Sequence, residues 1–190
     1  MIDVDDALEL ALQREDLAYH QARVLMLVAA VSSIAGHSGK LEGLTKLAKL
    51  DFLLRYPVLA LEVLDSLKTE DPRLHVSAHD LADPTDVEAP MIRYKFGPWD
   101  DRYYAVIGAL IGRGLLRYAK PRKGSIAVAP TQAGRRMISE MATTAEWAAI
   151  NDRSYAIAEA SANMTGNALK DRIYERLARL MDRPHRQVIR

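Results

Sequence analysis

Apolar residues recur along most of this chain at intervals of three and four, the period of an α-helix. Residues 5–35 contain neither Gly nor Pro and predict one long helix or two joined ones. The first part is amphipathic through Leu8, Ala11 and Leu12. The second, Val24 to Val31, is apolar on nearly every side, which marks a central helix surrounded by others. Its Met and Leu side chains read as core, not as ligand contacts. Gly36-His-Ser-Gly39 ends the run.

The next helical stretch runs from Leu41 to Tyr56 and stops at Pro57. Leu44, Leu47, Ala48 and Leu54 form one face, with Thr45, Lys46 and Lys49 on the other. Asp51 falls among the apolar positions, so its carboxylate must be paired; Arg55 and Arg93 are the candidate partners. Residues 58–67 predict a short helix. Residues 69–90, with Pro72, Pro84 and Pro90, read as a long surface loop. His75 and His79 within it would share a metal only on a helix, which the prolines disfavour, so no metal site is assigned. Met91 to Phe96 follows as a strand.

From there the pattern changes character. A tight turn at Gly97-Pro98 precedes Asp100, whose carboxylate can cap a helix start. Tyr103, Ile107, Leu110 and Ile111 give that helix an apolar face, and Gly114 stands where a helix end favours a left-handed residue. Leu115 to Tyr118 predicts a strand, Lys120-Pro-Arg-Lys-Gly124 a basic turn, residues 125–129 a returning strand, and Thr131-Gln-Ala-Gly134 the start of another helix. Helix, strand, turn, strand, helix is the back half of a winged helix-turn-helix, with Lys120 to Gly124 as its wing.

Beyond Met141 the helical rhythm continues through Trp147, Ile150, Tyr155, Ile157 and Ala158. After an interruption at residues 163–167, a last helix over 168–181 carries Leu169, Ile173, Leu177 and Leu180 as a stripe; it either docks on the body or serves as a handle for another protein. Pro184 ends it, leaving a short basic tail. The expected fold is mainly α: a winged helix-turn-helix core with a long N-terminal helix (residues 1–141) and a C-terminal helical extension (residues 142–190).

Composition narrows the chemistry. At 190 residues and 49% hydrophobic content, the chain can bury a sizeable core. A net charge of +1 supplies no global field for coating nucleic acid. Its distribution is uneven, acidic over the first twenty residues and basic over the last stretch, where Arg172, Arg176 and Arg179 are candidate partner contacts. With no Cys, disulfides and thiol chemistry are excluded. No secretory signal and no span of about 20 apolar residues is present, so a cytoplasmic protein without a membrane contact is expected. Gly108, Gly112 and Gly114 lack the Lys-Ser/Thr of a phosphate-binding loop, no His is set to activate a Ser, and the acidic residues form no metal-binding run. No catalytic residue, metal or cofactor is assigned, which leaves binding as the class.

The outward side of helix 100–113 should present Asp101, Arg102, Ala105, Gly108, Ala109, Gly112 and Arg113. Base reading favours Arg, Asn, Gln, Ser or Thr, and Asp100 and Asp101 at the leading end would repel phosphates. Small residues at Ala105/Ala109 and Gly108/Gly112 admit close approach of another helix. This face is therefore either a protein-contact surface, with Arg102, Ala105, Ala109 and Arg113 touching the partner, or tight internal packing. Lys120, Arg122 and Lys123 of the wing can still hold DNA phosphates without reading sequence. Asp51, Arg93 and Trp99 are expected to be structural.

Residues 45–57, then 91–104 with Gly108, Arg113-Gly-Leu115 and Thr131-Gln-Ala-Gly134, resemble the small middle component of bacterial ABC-three-component systems, including Lamassu-type ones. The likeness covers roughly residues 40–136. It implies a non-catalytic adaptor in anti-phage or anti-plasmid defence, standing between an ABC/SMC-like ATPase and an effector. Self-association and non-specific DNA contact stay open. A narrower likeness, from Gly97 to Gly134, is to PadR- and MarR-like regulators, which implies the alternative of a winged-helix transcriptional regulator.

Overall fold

The computed structural model describes residues 4–87, 89–122 and 126–189, with side chains from residue 17 onward. The chain is mainly helical, with a small antiparallel sheet and a separate hairpin. The Gly- and Pro-free stretch forms one continuous helix, α1 (Val4–Ser33). From Val24 to Val31 every residue of α1 is buried, so the helix is enclosed on all sides where its sequence is apolar all round. The amphipathic positions Leu8, Ala11 and Leu12 lie outside the described side chains.

After α1 come the short strand β1 (Leu41–Glu42), α2 (Leu44–Arg55) and α3 (Pro57–Val63), the last opened by a proline in its first turn, where the missing N–H costs nothing. The stretch read as a long loop holds a 3-10 turn (Pro72–Leu74) and a one-turn helix, α4 (Ala78–Ala82). That helix forms despite the flanking prolines because Ser77 and Asp80 make a reciprocal capping box. His75 remains outside it, in left-handed backbone facing Asp152, while His79 faces Asp86.

Strands β2 (Ile92–Tyr94) and β3 (Gly97–Trp99) pair as a hairpin. The turn is Lys95-Phe96, not the expected Gly97-Pro98: Tyr94 pairs with Gly97 and Arg93 with Pro98, so both turn candidates lie within a strand. Helix α5 (Tyr103–Gly112) leads into β4 (Leu116–Ala119), β5 (Ala127–Pro130) and α6 (Gln132–Met141). Strand β5 lies between β4 and β1, antiparallel to both. Helix α7 (Ala145–Ala160) runs along α1; α8 (Gly166–Arg176) packs on α2, and α9 (Ala178–Met181) follows after a break at Leu177. Leu169, Ile173, Leu177 and Leu180 are buried in the same apolar core as α1 and α2, so the last helices dock on the body.

The tail is more than a basic appendage. Ile189 is wholly buried, its N–H bonds the Met91 carbonyl, and the Arg93 N–H bonds the Gln187 carbonyl, which lays the tail along β2. The Tyr56 hydroxyl donates to the Ile189 carbonyl at 2.9 Å and accepts the Met91 N–H at 3.0 Å. Among the described residues no helix is long and apolar enough to cross a membrane.

Candidate partner-binding surface

A buried charge cluster sets the position of α5. Asp51, fully enclosed, accepts from Arg23 at 2.7 Å, from Arg55 at 2.6 Å and from the Tyr103 hydroxyl at 2.7 Å. Arg55 also reaches Asp100 at 2.8 Å. Burial by itself would raise the Asp51 carboxyl, but the two guanidinium groups override it and hold it well below the usual carboxylate range. The cluster ties α1 through Arg23, α2 through Asp51 and Arg55, and the start of α5 through Asp100 and Tyr103. Arg55 is thus a partner of Asp51, as the i,i+4 spacing suggests, and Arg93 is not. Arg93 instead donates to the Met181 carbonyl at 2.9 Å and stacks over the Tyr174 ring. Trp99 is half-buried between the Tyr94 and Tyr103 rings.

Asp100 corrects the electrostatic picture of the leading end of α5. It is buried and takes its place in the cluster, accepting the Arg102 N–H at 3.0 Å and the Arg102 guanidinium at 2.9 Å. It therefore presents no free charge to an approaching phosphate. Asp101 is exposed and lies 3.2 Å from Arg186 of the tail. Arg102, expected to face a partner freely, is spent largely on Asp100.

The C-terminal end of α5 follows the sequence closely. Gly114 is left-handed at φ +69°, its N–H bonds the Ile111 carbonyl, and the Leu115 N–H bonds the Leu110 carbonyl. Thr131 fastens this end to α6: its hydroxyl donates to the Gly114 carbonyl at 2.6 Å and accepts the Gly134 N–H at 3.0 Å. Gly134 has no space for a side chain, since a Cβ there would come within 2.2 Å of the Leu115 carbonyl oxygen.

Between these fixed ends, α5 turns Tyr103, Val106, Ile107 and Leu110 inward. Its other side presents Tyr104, Ala105, Gly108, Gly112 and Arg113 to solvent, with Ala109 half-buried among them. A Cβ added at Gly108 or Gly112 would meet no described atom within 4 Å. No described neighbour in this chain accounts for the small residues here. Tyr104, 64% exposed, belongs to the same surface and is missed by a search for small residues and charges.

The basic turn between β4 and β5 is partly neutralised. Arg122 donates through its backbone N–H and its guanidinium to Glu42 at 3.0 and 3.3 Å, and Lys40 pairs with the same carboxylate at 2.7 Å. Lys120 is exposed, with its carbonyl accepting from Lys40; Lys123 lies outside the described residues. Of the basic C-terminal candidates, Arg172 and Arg176 are turned onto Asp65, and Arg179 lies 3.8 Å from Glu62. All three engage the chain's own acidic residues next to or within α3. Comparison with known proteins found no matching family model, no similar curated protein and no similar solved structure.

Proposed function

We propose that this chain is a winged-helix assembly subunit without catalytic activity, cytoplasmic, bridging an ABC/SMC-like ATPase and an effector in a bacterial defence complex. The single observation that carries the binding part is the open small-residue ridge of α5, rigidly held below by the Arg23–Asp51–Arg55–Asp100 cluster. Gly108, on the solvent face inside α5, costs roughly 1 kcal/mol relative to Ala, and no packing inside the described chain requires it or Gly112 at the helix end. A partner backbone lying close on the ridge supplies such a reason. The β4–β5 pair, preceded by α5 and followed by α6, with β1 along the far edge of β5, supports the winged-helix reading. The choice of an ATPase partner is supported by the resemblance over residues 40–136 alone.

The test is co-purification with an ABC/SMC-like ATPase encoded by a neighbouring gene; a neighbourhood that encodes none removes the ATPase reading. Gly108→Leu with Gly112→Leu should abolish the complex while leaving thermal stability unchanged or higher, because both positions face solvent. An intact complex would remove the ridge from the interface. Reversing charge at Arg122 and Lys123 should remove weak, salt-sensitive DNA contact and leave the protein complex intact.

One observation favours the alternative, a PadR- or MarR-like regulator: Asp100 is turned inward, so the leading end of α5 carries less negative charge than its sequence suggests. Such a regulator would prefer one duplex by about a thousandfold or more near physiological salt. The adaptor would bind duplexes weakly and without regard to sequence.

A further inference from the structure

Lys49 projects from α2 beneath the β2–β3 hairpin and is 1% exposed. Its ammonium donates to the Pro98 carbonyl at 3.1 Å, and no carboxylate of a described residue pairs with it. The charged groups that act on it are cations, Lys170 on α8 and Arg93 on β2. A buried ammonium with no counter-charge is costly, and an anion brought against it would lower that cost. Gly97, at φ +98°, makes room over it, since a Cβ there would lie 3.3 Å from the Lys49 Cε and Nζ atoms.

Lys49 also lines a cavity of about 450 Å³, together with Tyr94, Phe96, Trp99 and Tyr104. Phe96 and Tyr104 are 52% and 64% exposed, so large rings stand in water beside the opening. Asp101, also lining the cavity, is held by Arg186. The rings lack an apolar cover and the ammonium lacks an anion.

We infer that this cavity receives an acidic side chain of a partner polypeptide, its carboxylate completing Lys49 and an adjacent apolar residue covering Phe96 and Tyr104. Charge complementarity selects the anion, and the ring-lined walls select a carboxylate beside an apolar residue over a nucleic-acid strand, whose neighbouring phosphates would bring further charge against those walls. The inference rests on the reading of this chain as a polypeptide-binding subunit, for Asp101 and Tyr104 belong to both surfaces.

Burial, with Lys170 and Arg93 adding to it, brings the Lys49 ammonium down to about 7, so a bound carboxylate must hold a proton there that the free protein releases. Affinity should fall as pH rises through that value. The other charged and titratable groups around Lys49 and the cavity are Lys170 and Tyr174 on α8, Arg93 and Tyr94 on β2, Asp101, and Tyr104 on α5. Comparison with Lys49→Met separates its contribution from theirs.

The experiment uses the full chain carrying Trp147→Phe, so that fluorescence reports Trp99 alone, titrated with capped hexapeptides centred on Leu-Asp, Leu-Glu, Phe-Asp or Phe-Glu. Saturable binding is expected for at least one peptide. Its Asn or Gln counterpart should bind about tenfold more weakly or worse, and affinity should drop about tenfold between roughly pH 6 and pH 9. Lys49→Met should lose the signal. Phe96→Ala, an exposed turn position whose change leaves the fold intact, should weaken binding and keeps the test decisive should Lys49→Met fail to fold. The inference is overturned by equal binding of acid and amide peptides, by full binding to Phe96→Ala, or by no saturation up to about 5 mM. Tighter binding of phenylacetate or of a thymidine oligonucleotide than of any peptide also overturns it. If the peptides fail while the α5 substitutions still break the ATPase complex, this cavity alone is eliminated; failure of both removes the adaptor reading as well.

Discussion

Asp51 is the carboxylate on which Arg23, Arg55 and Tyr103 converge. Its removal strands the buried Arg23 and Arg55 without their shared carboxylate, and loss of one partner of a buried charged set typically costs about 3–5 kcal/mol. Asp51→Asn should lower unfolding free energy by about that amount in a urea titration; a change below about 1 kcal/mol would mean that the cluster is dispensable. The pH dependence has a definite sign. Asp51 and Asp100 are both held below the ordinary carboxylate value, so their contribution is complete above it and is lost as pH falls toward the folded values. Acid unfolding should therefore set in below about pH 4, and Asp51→Asn should flatten it. Lys49 acts at the other end. Its folded value of about 7 lies below the unfolded one, so between the two the unfolded chain binds the extra proton and stability rises with pH. Wild type should gain about 1 kcal/mol or more between roughly pH 7 and 10 relative to Lys49→Met, read by urea unfolding at each pH. The polar face assigned to Lys49 from its helical position is wrong for a physical reason. The β2–β3 hairpin, contributed by residues about fifty positions later, covers that side of α2.

At the scale of one element, α5 joins fixed ends to an open middle. Gly134 is required by contact: Gly134→Ala drives a methyl into the Leu115 carbonyl and should cost about 3 kcal/mol or more, seen as a lower melting temperature. Gly108→Ala should do the opposite, stabilising by about 0.5–1 kcal/mol through helix propensity, because its added methyl meets nothing described. Both changes add one carbon to a glycine in a helix, and only the tertiary surroundings distinguish them. Two sequence signals were readable because they are local: Gly114 ends α5 and Thr131 caps α6 within a few residues. Asp100, by contrast, does not cap α5, whose first turn follows Arg102 without a side-chain cap. The partners of Asp100 were not readable, since Arg55 approaches it from another helix and turns inward a charge that local reading leaves in solvent.

For the whole molecule, the last helices and the tail decide the boundary of the core. Ile189 is buried, and its backbone closes a path from Tyr56 to Met91. Ile189→Ala should cost about 2–5 kcal/mol, and deletion of residues 183–190 at least as much, measured by chemical denaturation. A tail that could be removed without effect would contradict this packing. Arg172, Arg176 and Arg179 look from sequence like a basic handle, yet Asp65 and Glu62 stand opposite them in space.

What the sequence determined by itself is the set of elements whose causes are periodic or local. These are the all-round apolar half of α1, the amphipathic stripe ending at Leu180, the left-handed glycine after α5, and the demand of Asp51 for a cation. Tertiary structure alone decided which cation answered, that Lys49 and Asp100 face inward, that a tail becomes part of the core, and that the ridge of α5 has no cover among the described residues. Those outcomes depend on elements brought together from distant parts of the chain, and neither periodicity nor capping chemistry records which surfaces meet.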